Sequence, residues 1–476
     1  MIFNSFQFIW LFPLIFLVYY GLLAIVNKKF KHTSALGNYL LIAISYGLYI
    51  QWHPQYALIL LGVTLITYIF AILIEKKIAY KNIKYLVATG TFLALLPLLV
   101  FKYTGFIIDN LQMVSGGGGE KSVEVKLIAP LGISFYTFQA VGYLLDVYNN
   151  RIKAEHNWWN YMLFVCFFPQ ILSGPISTGK DLLPQIRSER KFEYLKAVQG
   201  LRWLLWGMFL KVVVADRLAI YVNNVLDNYQ SNSGVSCLMA NIFYTFQIYG
   251  DFAGYSLMAI GVARLMGFDL VNNFKRPYFA ASITEFWKRW HISLTRWLTA
   301  HVYITLGGNR CSEVKQYWNI MATFLVSGIW HGANWTFIVW GVLHGIFQIV
   351  EKALGIQKTE GYGKIAKSVR IVITFMLVNF AWLIFRMPTL QDASNCFIHM
   401  FTQKGSLYLP QLDETVFIIL VLVILILKEG LQEFRSSIYS KLLSNNIIRW
   451  SCYTMVFLMI IILGVFNSGS FIYLQF

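Results

Sequence analysis

The chain reads as a succession of long apolar stretches separated by short polar ones. Residues 2–26 contain no Asp, Glu, Lys or Arg, and about 20 apolar residues are what an α-helix needs to cross a bilayer. This stretch is too long for the apolar part of a signal peptide, and no small-residue cleavage site follows it, so it predicts an uncleaved first span. The charge-free stretch 33–74 is interrupted by Gln51-Trp52-His53-Pro54-Gln55. That predicts two spans joined by a tight polar turn with a tryptophan at the interface. Further spans are expected within 85–108, 157–175, 200–226, 235–264, 316–350 (two), 367–386, 415–428 and 450–468, with 127–147 as one more. The pattern predicts an all-α, polytopic protein of roughly ten to twelve spans, read as a single membrane-embedded domain over 1–476 with no internal repeat.

Composition closes off the soluble alternatives. Hydrophobic residues make up 57% and charged residues only 13%, against about 25% charged in ordinary globular proteins. Lys and Arg number 39 against 22 Asp and Glu, a net charge of +17. In a soluble chain this would point to nucleic acid; here cytoplasmic loops rich in Lys and Arg account for it, and no nucleic-acid partner is expected. Lys28, Lys29 and Lys31 follow the first span, the turn at 51–55 has no Lys or Arg, and Lys76, Lys77, Lys81 and Lys84 follow the third. The positive-inside rule then puts the N-terminus outside the cytoplasm, with the flexible Ser115-Gly116-Gly117-Gly118-Gly119-Glu120 connector on the same side. Five cysteines show no CxxC spacing and read as packing residues.

Three central regions carry polar residues where a simple span would not. Pro130-Leu131-Gly132-Ile133-Ser134-Phe135-Tyr136-Thr137-Phe138-Gln139 and Phe168-Pro169-Gln170-Ile171-Leu172-Ser173-Gly174-Pro175 place Pro and Gly inside apolar sequence. Freed backbone groups are tolerable there only if buried in protein or lining a cavity, so each segment is either a kinked span end or a re-entrant wall, with Gln139 and Ser173 as its lining. The third region, 272–310, is helix-compatible from Thr284, with Ser282 or Thr284 as N-cap. Trp287, Trp290, Leu294 and Trp297 then form one face and Glu285, Arg289 and Arg296 the other, with His291 at the edge of the aromatic face. Such a helix suits the membrane interface or the wall of a wet cavity, and its Lys and Arg residues suit a phosphate-bearing ligand.

The stretch 316–350 has no Asp, Glu, Lys or Arg yet contains Ser327-Gly328-Ile329-Trp330-His331-Gly332-Ala333-Asn334-Trp335. An ionisable group at membrane depth is a functional candidate by default; the bland reading is a satisfied structural histidine, with Gly328 and Gly332 serving close helix packing. Asn334 lies about one helical turn on and is placed to orient the imidazole, while His344 reads as structural. Asp251, in Tyr249-Gly250-Asp251-Phe252-Ala253-Gly254-Tyr255-Ser256, is a lone carboxylate suited either to an ion pair with Arg264 or to a polar site. No phosphate-binding loop, serine-hydrolase elbow or metalloprotease motif occurs. Histidine spacing supports no metal site.

With these segments in view, the chain resembles the membrane-bound O-acyltransferases, and within them the bacterial branch that resembles alginate O-acetyltransferases. The resemblance runs from Met1 to roughly residue 390 and is carried by PLGISFYTFQ (130–139), FFPQILSGPI (167–176), YGDFAGYS (249–256), NNFKRPYFAASITEFWKRWHISLT (272–295) and SGIWHGANWTFIVWGVLHG (327–345). The core with these motifs is 127–350, and the C-terminal helices of 391–476 are less distinctive. The resemblance implies a multi-helix fold with re-entrant and interfacial helices around a central tunnel. It implies His331 as the catalytic histidine, His291 as the second motif residue, and acyl transfer from a thioester to a hydroxyl. In this branch an extracytoplasmic partner transferase often completes the transfer to a polysaccharide. A bacterial cytoplasmic membrane is the expected location.

Acyl transfer from a thioester needs a base for the acceptor hydroxyl and a stabiliser for the developing oxyanion. The expected roles are His331 as base and His291 as hydrogen-bonding partner of the acyl carbonyl or acceptor. Asn334 and Asp251 stand in support, and Trp287, Trp290 and Trp330 form the walls. Direct attack by one histidine, giving an acyl-imidazole, fits the same residues. No tightly bound cofactor is expected; acetyl-CoA or another acyl thioester is the donor substrate. Two other readings use the same membrane map: a transporter or flippase for an acyl or lipid-linked sugar carrier, and a scaffold that recruits a transferase.

Overall fold

The computed structural model describes residues 3, 5–29, 34–51, 53–76, 82–115, 128–172, 174–357 and 361–466. Ser173, Trp52, Lys31, Lys77, Lys81 and the glycine connector 116–120 lie outside the described residues. Helices and no strand make up the regular structure of the described residues. The chain divides into two compact units, one of Met1–Leu204 with Ala259–Val271 and one of Leu205–Met258 with Asn272–Gln475.

In chain order the helices of the first unit are α1 (Phe6–Lys29), α2 (Ser34–Ile50), α3 (Pro54–Lys76), α4 (Ile83–Val114), α5 (Ile133–Tyr148), α6 (Trp158–Cys166), α7 (Phe168–Ile171), α8 (Gly179–Arg187) and most of α9 (Tyr194–Met208). As the sequence predicts, two helices meet at this point, α2 ending at Ile50 and α3 beginning at Pro54. The segment 157–175 does not form one span. It breaks at Phe167, where Pro169 cannot extend the preceding helix, into α6 and the single turn α7. Gln139 on α5 repairs that break: its amide donates to the Phe164 carbonyl, and its carbonyl accepts from Ser177 N at 3.3 Å. Gln170 adds a 3.3 Å bond to the same Phe164 carbonyl and accepts from Ser177 Oγ at 2.8 Å. The two Pro/Gly segments also pack on each other. Gly132 has φ +72°, and a methyl group there would lie 2.0 Å from the Ile171 carbonyl oxygen, so only glycine fits the turn.

The second unit holds α10 (Asp216–Leu226), most of α11 (Gly234–Leu265), α12 (Ile283–Arg289), α13 (Ile292–Leu298), α14 (Glu313–His331), α15 (Trp335–Ala353), α16 (Lys364–Arg386), α17 (Leu390–Thr402), α18 (Leu412–Phe434), α19 (Ser436–Ser444) and α20 (Asn446–Leu463). Between α9 and α10 the helix widens into a π-helical stretch, Phe209–Ala215. The wide turn brings Lys211 against Asp216, five residues on, at 2.8 Å, and against Asp251 of α11 at 2.6 Å. Asp251 therefore pairs with Lys211, and Arg264 instead meets Asp269 at 3.3 Å.

Five of the described helices are long and apolar enough to cross a membrane by themselves: Gln7–Ile25, Pro54–Lys76, Ile83–Val114, Lys364–Arg386 and Asn446–Leu463, with Ala35–Ile50 a shorter apolar one. Large apolar side chains such as Trp10, Leu58, Ile373 and Ile462 stand exposed on these helices, the pattern expected where hydrocarbon rather than water is the solvent. The chain is a multi-pass membrane protein.

Candidate active site

His331 is the last residue of α14, and Gly332 breaks the helix with extended backbone. Two residues later Asn334 starts α15, its side chain accepting from Thr336 N at 3.0 Å while its amide donates to Pro388 O at 2.8 Å. Asn334 thus caps a helix and ties the turn to the end of α16, and does not orient the histidine. The expected close helix packing is present at Gly328. A methyl group there would stand 2.5 Å from the Phe337 carbonyl oxygen, and one on Gly341 would stand 2.5 Å from the Phe324 carbonyl oxygen. The α14–α15 hairpin therefore closes backbone to backbone, one turn before His331.

The region from Thr284 is not one continuous helix. Ser282 caps α12 by accepting from Glu285 N at 3.0 Å, as the sequence predicts, but the helix stops at Arg289. His291 then takes φ 42° and ψ 53° before α13 begins. A left-handed conformation is uncommon for a residue with a Cβ and persists only where its surroundings over-determine it. Asn273 supplies much of that constraint, its carbonyl accepting from Ile292 N at 3.0 Å and its side chain from Ser293 N at 3.1 Å. The Lys275 N–H closes the other side by donating to Arg289 O at 2.9 Å. The kink takes His291 off the edge of an amphipathic helix and puts it in the interior, 1% exposed.

The two histidines both pack against Trp330. The Trp330 ring centroid is 5.7 Å from that of His291 and 4.9 Å from that of His331. His331, 3% exposed, is further walled by Trp340 at 4.9 Å and Phe385 at 5.4 Å, both edge-on. His291 packs edge-on against Phe252 at 4.6 Å, the residue that follows Asp251. Trp340 stacks on Trp382 at 5.7 Å, and Trp382 contacts Trp290 at 5.0 Å. Trp287 donates from its indole nitrogen to His344 Nδ1 at 3.3 Å, which gives His344 a structural partner. The result is a buried aromatic cluster that includes two imidazoles, where electrostatic interactions are stronger than in water. His291 lies in the short-helix segment between spans; burial lowers its imidazole to about 3, so it is neutral and carries one N–H donor and one acceptor.

Outer residues hold this arrangement. Glu351 near the end of α15 accepts from the N–H groups of Ile283 and, at 3.0 Å, Thr284, fixing the start of α12. Asn379 on α16 donates to Asn241 O at 3.0 Å and to Thr245 Oγ1 at 2.6 Å, tying α16 to α11 just before Trp382 and Phe385.

The structure therefore brings together His291, His331, Trp287, Trp290 and Trp330 and leaves Asn334 and Asp251 in supporting contacts of other kinds. Gln139 belongs to the first unit and serves its backbone there. Sequence reasoning missed Trp340, Trp382, Phe385 and Glu351. Trp340 and His344 are four residues apart on α15, with Glu351 seven further, so one helical face carried that signal; nothing in the sequence marked Trp382 or Phe385. Among the described residues no three His, Cys, Asp or Glu side chains converge as a metal site requires. An apolar trough of about 830 Å³ runs along α20, lined by residues such as Trp450 and Met455, and none of its lining residues belongs to the cluster around the two histidines.

Comparison with known proteins agrees with the motifs. The profile of the MBOAT (membrane-bound O-acyltransferase) family matches residues 29–386. The "Probable alginate O-acetylase AlgI" of Pseudomonas aeruginosa is 37% identical over 404 residues, covering 84% of this chain and 75% of the relative. The "Peptidoglycan O-acetyltransferase" of Helicobacter pylori is 34% identical over 422 residues, covering 83% and 78%. The "Teichoic acid D-alanyltransferase" of Streptococcus thermophilus is 28% identical over 412 residues, covering 80% and 94%. A match spanning most of the sequence, including both histidine motifs, places this chain in the membrane-bound O-acyltransferase family.

Proposed function

We propose that this O-acyltransferase moves an acetyl group from a cytoplasmic thioester donor, acetyl-CoA or another acyl thioester, to hydroxyls of an extracytoplasmic polysaccharide or to a partner transferase. The observation that carries the reading is the pair of buried imidazoles that both pack against Trp330 within one aromatic cluster. His331 acts as general base: it takes the proton of the acceptor hydroxyl as the oxygen attacks the thioester carbonyl. His291, neutral, donates its N–H to the oxyanion of the tetrahedral intermediate. Collapse re-forms the carbonyl, breaks the carbon–sulfur bond and expels the thiolate, which recovers the proton from His331. The aromatic walls exclude water that would otherwise hydrolyse the thioester.

The cations of the same segment divide into two sets. Arg276 and Arg289 are paired with carboxylates, whereas Lys275, Lys288 and Arg296 stand exposed and suit the phosphates of a CoA thioester. The names of the relatives, an alginate O-acetylase and a peptidoglycan O-acetyltransferase, favour acetyl as the group and a surface polymer as the acceptor. The N-terminus faces away from the cytoplasm, and the membrane is a bacterial cytoplasmic membrane.

The test is made in cells. Surface polysaccharide from the parent strain and from a strain lacking this chain is analysed for ester-linked acetyl groups by mass spectrometry. The reading expects esters that disappear with the chain and return with it; acetylation unchanged by deletion would refute it.

A further inference from the structure

The family profile ends at residue 386, yet α18, beyond that limit, reaches back to the segment that carries His291. Glu433, near the end of α18, lies between two arginines. Its Oε2 is 2.7 Å from Arg276 Nε and its Oε1 is 2.8 Å from Arg289 Nη2. Arg276 opens the loop that leads into α12, and Arg289 closes α12 two residues before His291. One carboxylate therefore grips both ends of the 276–289 segment. Arg289 adds a 2.5 Å ion pair to Glu285 and donates from Nη1 to Arg276 O at 3.3 Å. The Glu433 side chain is 10% exposed and that of Arg289 13%, so little solvent screens these pairs.

Two residues here have left-handed backbone, Arg276 with φ 46° and His291 with φ 42°. Each is conformationally costly for a residue with a side chain, and the Glu433 bridge spans the stretch between them. Glu429, one turn earlier on α18, accepts a hydrogen bond from Tyr249 OH, and the Tyr249 ring contacts Trp290 at 6.2 Å. Thus α18 reaches the histidine turn directly through the Glu433 ion pairs and indirectly through Tyr249 of α11, which packs on Trp290.

The geometry points to Glu433 as a positioning residue for His291, acting through Arg276 and Arg289 from a helix outside the family-matched region. The inference rests on the proposed role of His291 in acyl transfer. Loss of the bridge lets the 276–289 segment relax and displaces the imidazole. A displacement of about 1 Å in a reacting group lowers turnover by up to about a hundredfold.

The experiment compares Glu433→Gln, His291→Gln and the double variant in nanodiscs, with thermal unfolding measured in parallel and transfer assayed with radiolabelled acetyl-CoA and an acceptor polysaccharide. Glu433→Gln is expected to lower kcat roughly ten- to a hundredfold with KM for acetyl-CoA within about twofold. On the His291→Gln background the same change is expected to have no further effect, because its route runs through that imidazole. Glu433→Asp, which keeps the charge, is expected to recover part of the loss. The inference is overturned if Glu433→Gln turns over at the wild-type rate, if its loss multiplies that of His291→Gln, or if the loss lies in KM or merely follows the unfolded fraction. Should the double variant fall below detection, the division between kcat and KM in Glu433→Gln decides. If His291→Gln is itself fully active, the catalytic role of His291 fails, a result distinct from full activity in Glu433→Gln alone.

Discussion

Replacing Gly328 by alanine tests whether the α14–α15 closure sets the position of His331. The added methyl would sit 2.5 Å from the Phe337 carbonyl oxygen and 3.3 Å from its carbonyl carbon. Both are backbone atoms and cannot rotate away, so the hairpin must open by about an ångström to reach ordinary van der Waals contact. Overpacking of this kind costs about 1–3 kcal/mol. The opening falls three residues before His331, whose ring is held edge-on between Trp330, Trp340 and Phe385. Misplacing the imidazole by that amount is expected to cut turnover by roughly ten- to a hundredfold. Gly62, in the middle of α3, provides the control, since a methyl there would meet no atom within 4 Å and alanine is the better helix former. Both variants would be reconstituted in nanodiscs and compared for thermal unfolding and acetyl transfer. Gly328→Ala melting and turning over like Gly62→Ala would refute the idea that backbone contact at this glycine positions the histidine.

Two further outcomes follow from the same geometry. Lys211→Met leaves Asp216 and Asp251 facing each other without their shared cation, and breaking a buried ion group by removing one partner costs about 3–5 kcal/mol. A steep fall in folded yield is expected on size-exclusion chromatography, and a wild-type melting curve would contradict it. Burial holds the His291 imidazole neutral, at about 3, so its protonation does not change across roughly pH 5–9. The rate–pH profile of His291→Gln should keep the wild-type shape at a lower level; disappearance of an acidic limb in that variant would show that His291 titrates.

Much of this was legible in the sequence, for identifiable reasons. Charge-free stretches marked the helices because the bilayer punishes a charge wherever it falls, and α11, α14, α15, α16 and α20 lie close to the expected spans. His331 was visible because it interrupts an apolar context with a titratable ring, whereas His291 lies among Lys288, Arg289 and Arg296 and was marked by the motif resemblance. The segment 157–175 misled because apolar composition was read as a span, while Pro169 broke it and Gln139 supplied the missing backbone bonds from another helix. The 284–298 helix misled because periodicity sees side-chain pattern and not the left-handed turn at His291, which Asn273 holds from some twenty residues away. For Asp251 the sequence left an ion pair with Arg264 and a polar site both open, and the Lys211 partner that the π-helical turn brings to it was not among them. Glu433, Trp382 and Phe385 left no local signal, since their roles exist only through contacts made between distant helices.

The most direct measurement is acyl transfer by the purified protein with and without His331. Wild type and His331→Ala would be brought to equal folded concentration in nanodiscs and given radiolabelled acetyl-CoA with an acceptor polysaccharide. A general base contributes roughly 10²–10⁴-fold, so the account predicts transfer reduced by at least about a hundredfold in His331→Ala, with its thermal unfolding like that of wild type. A well-folded His331→Ala protein that transfers the label at the wild-type rate would contradict it.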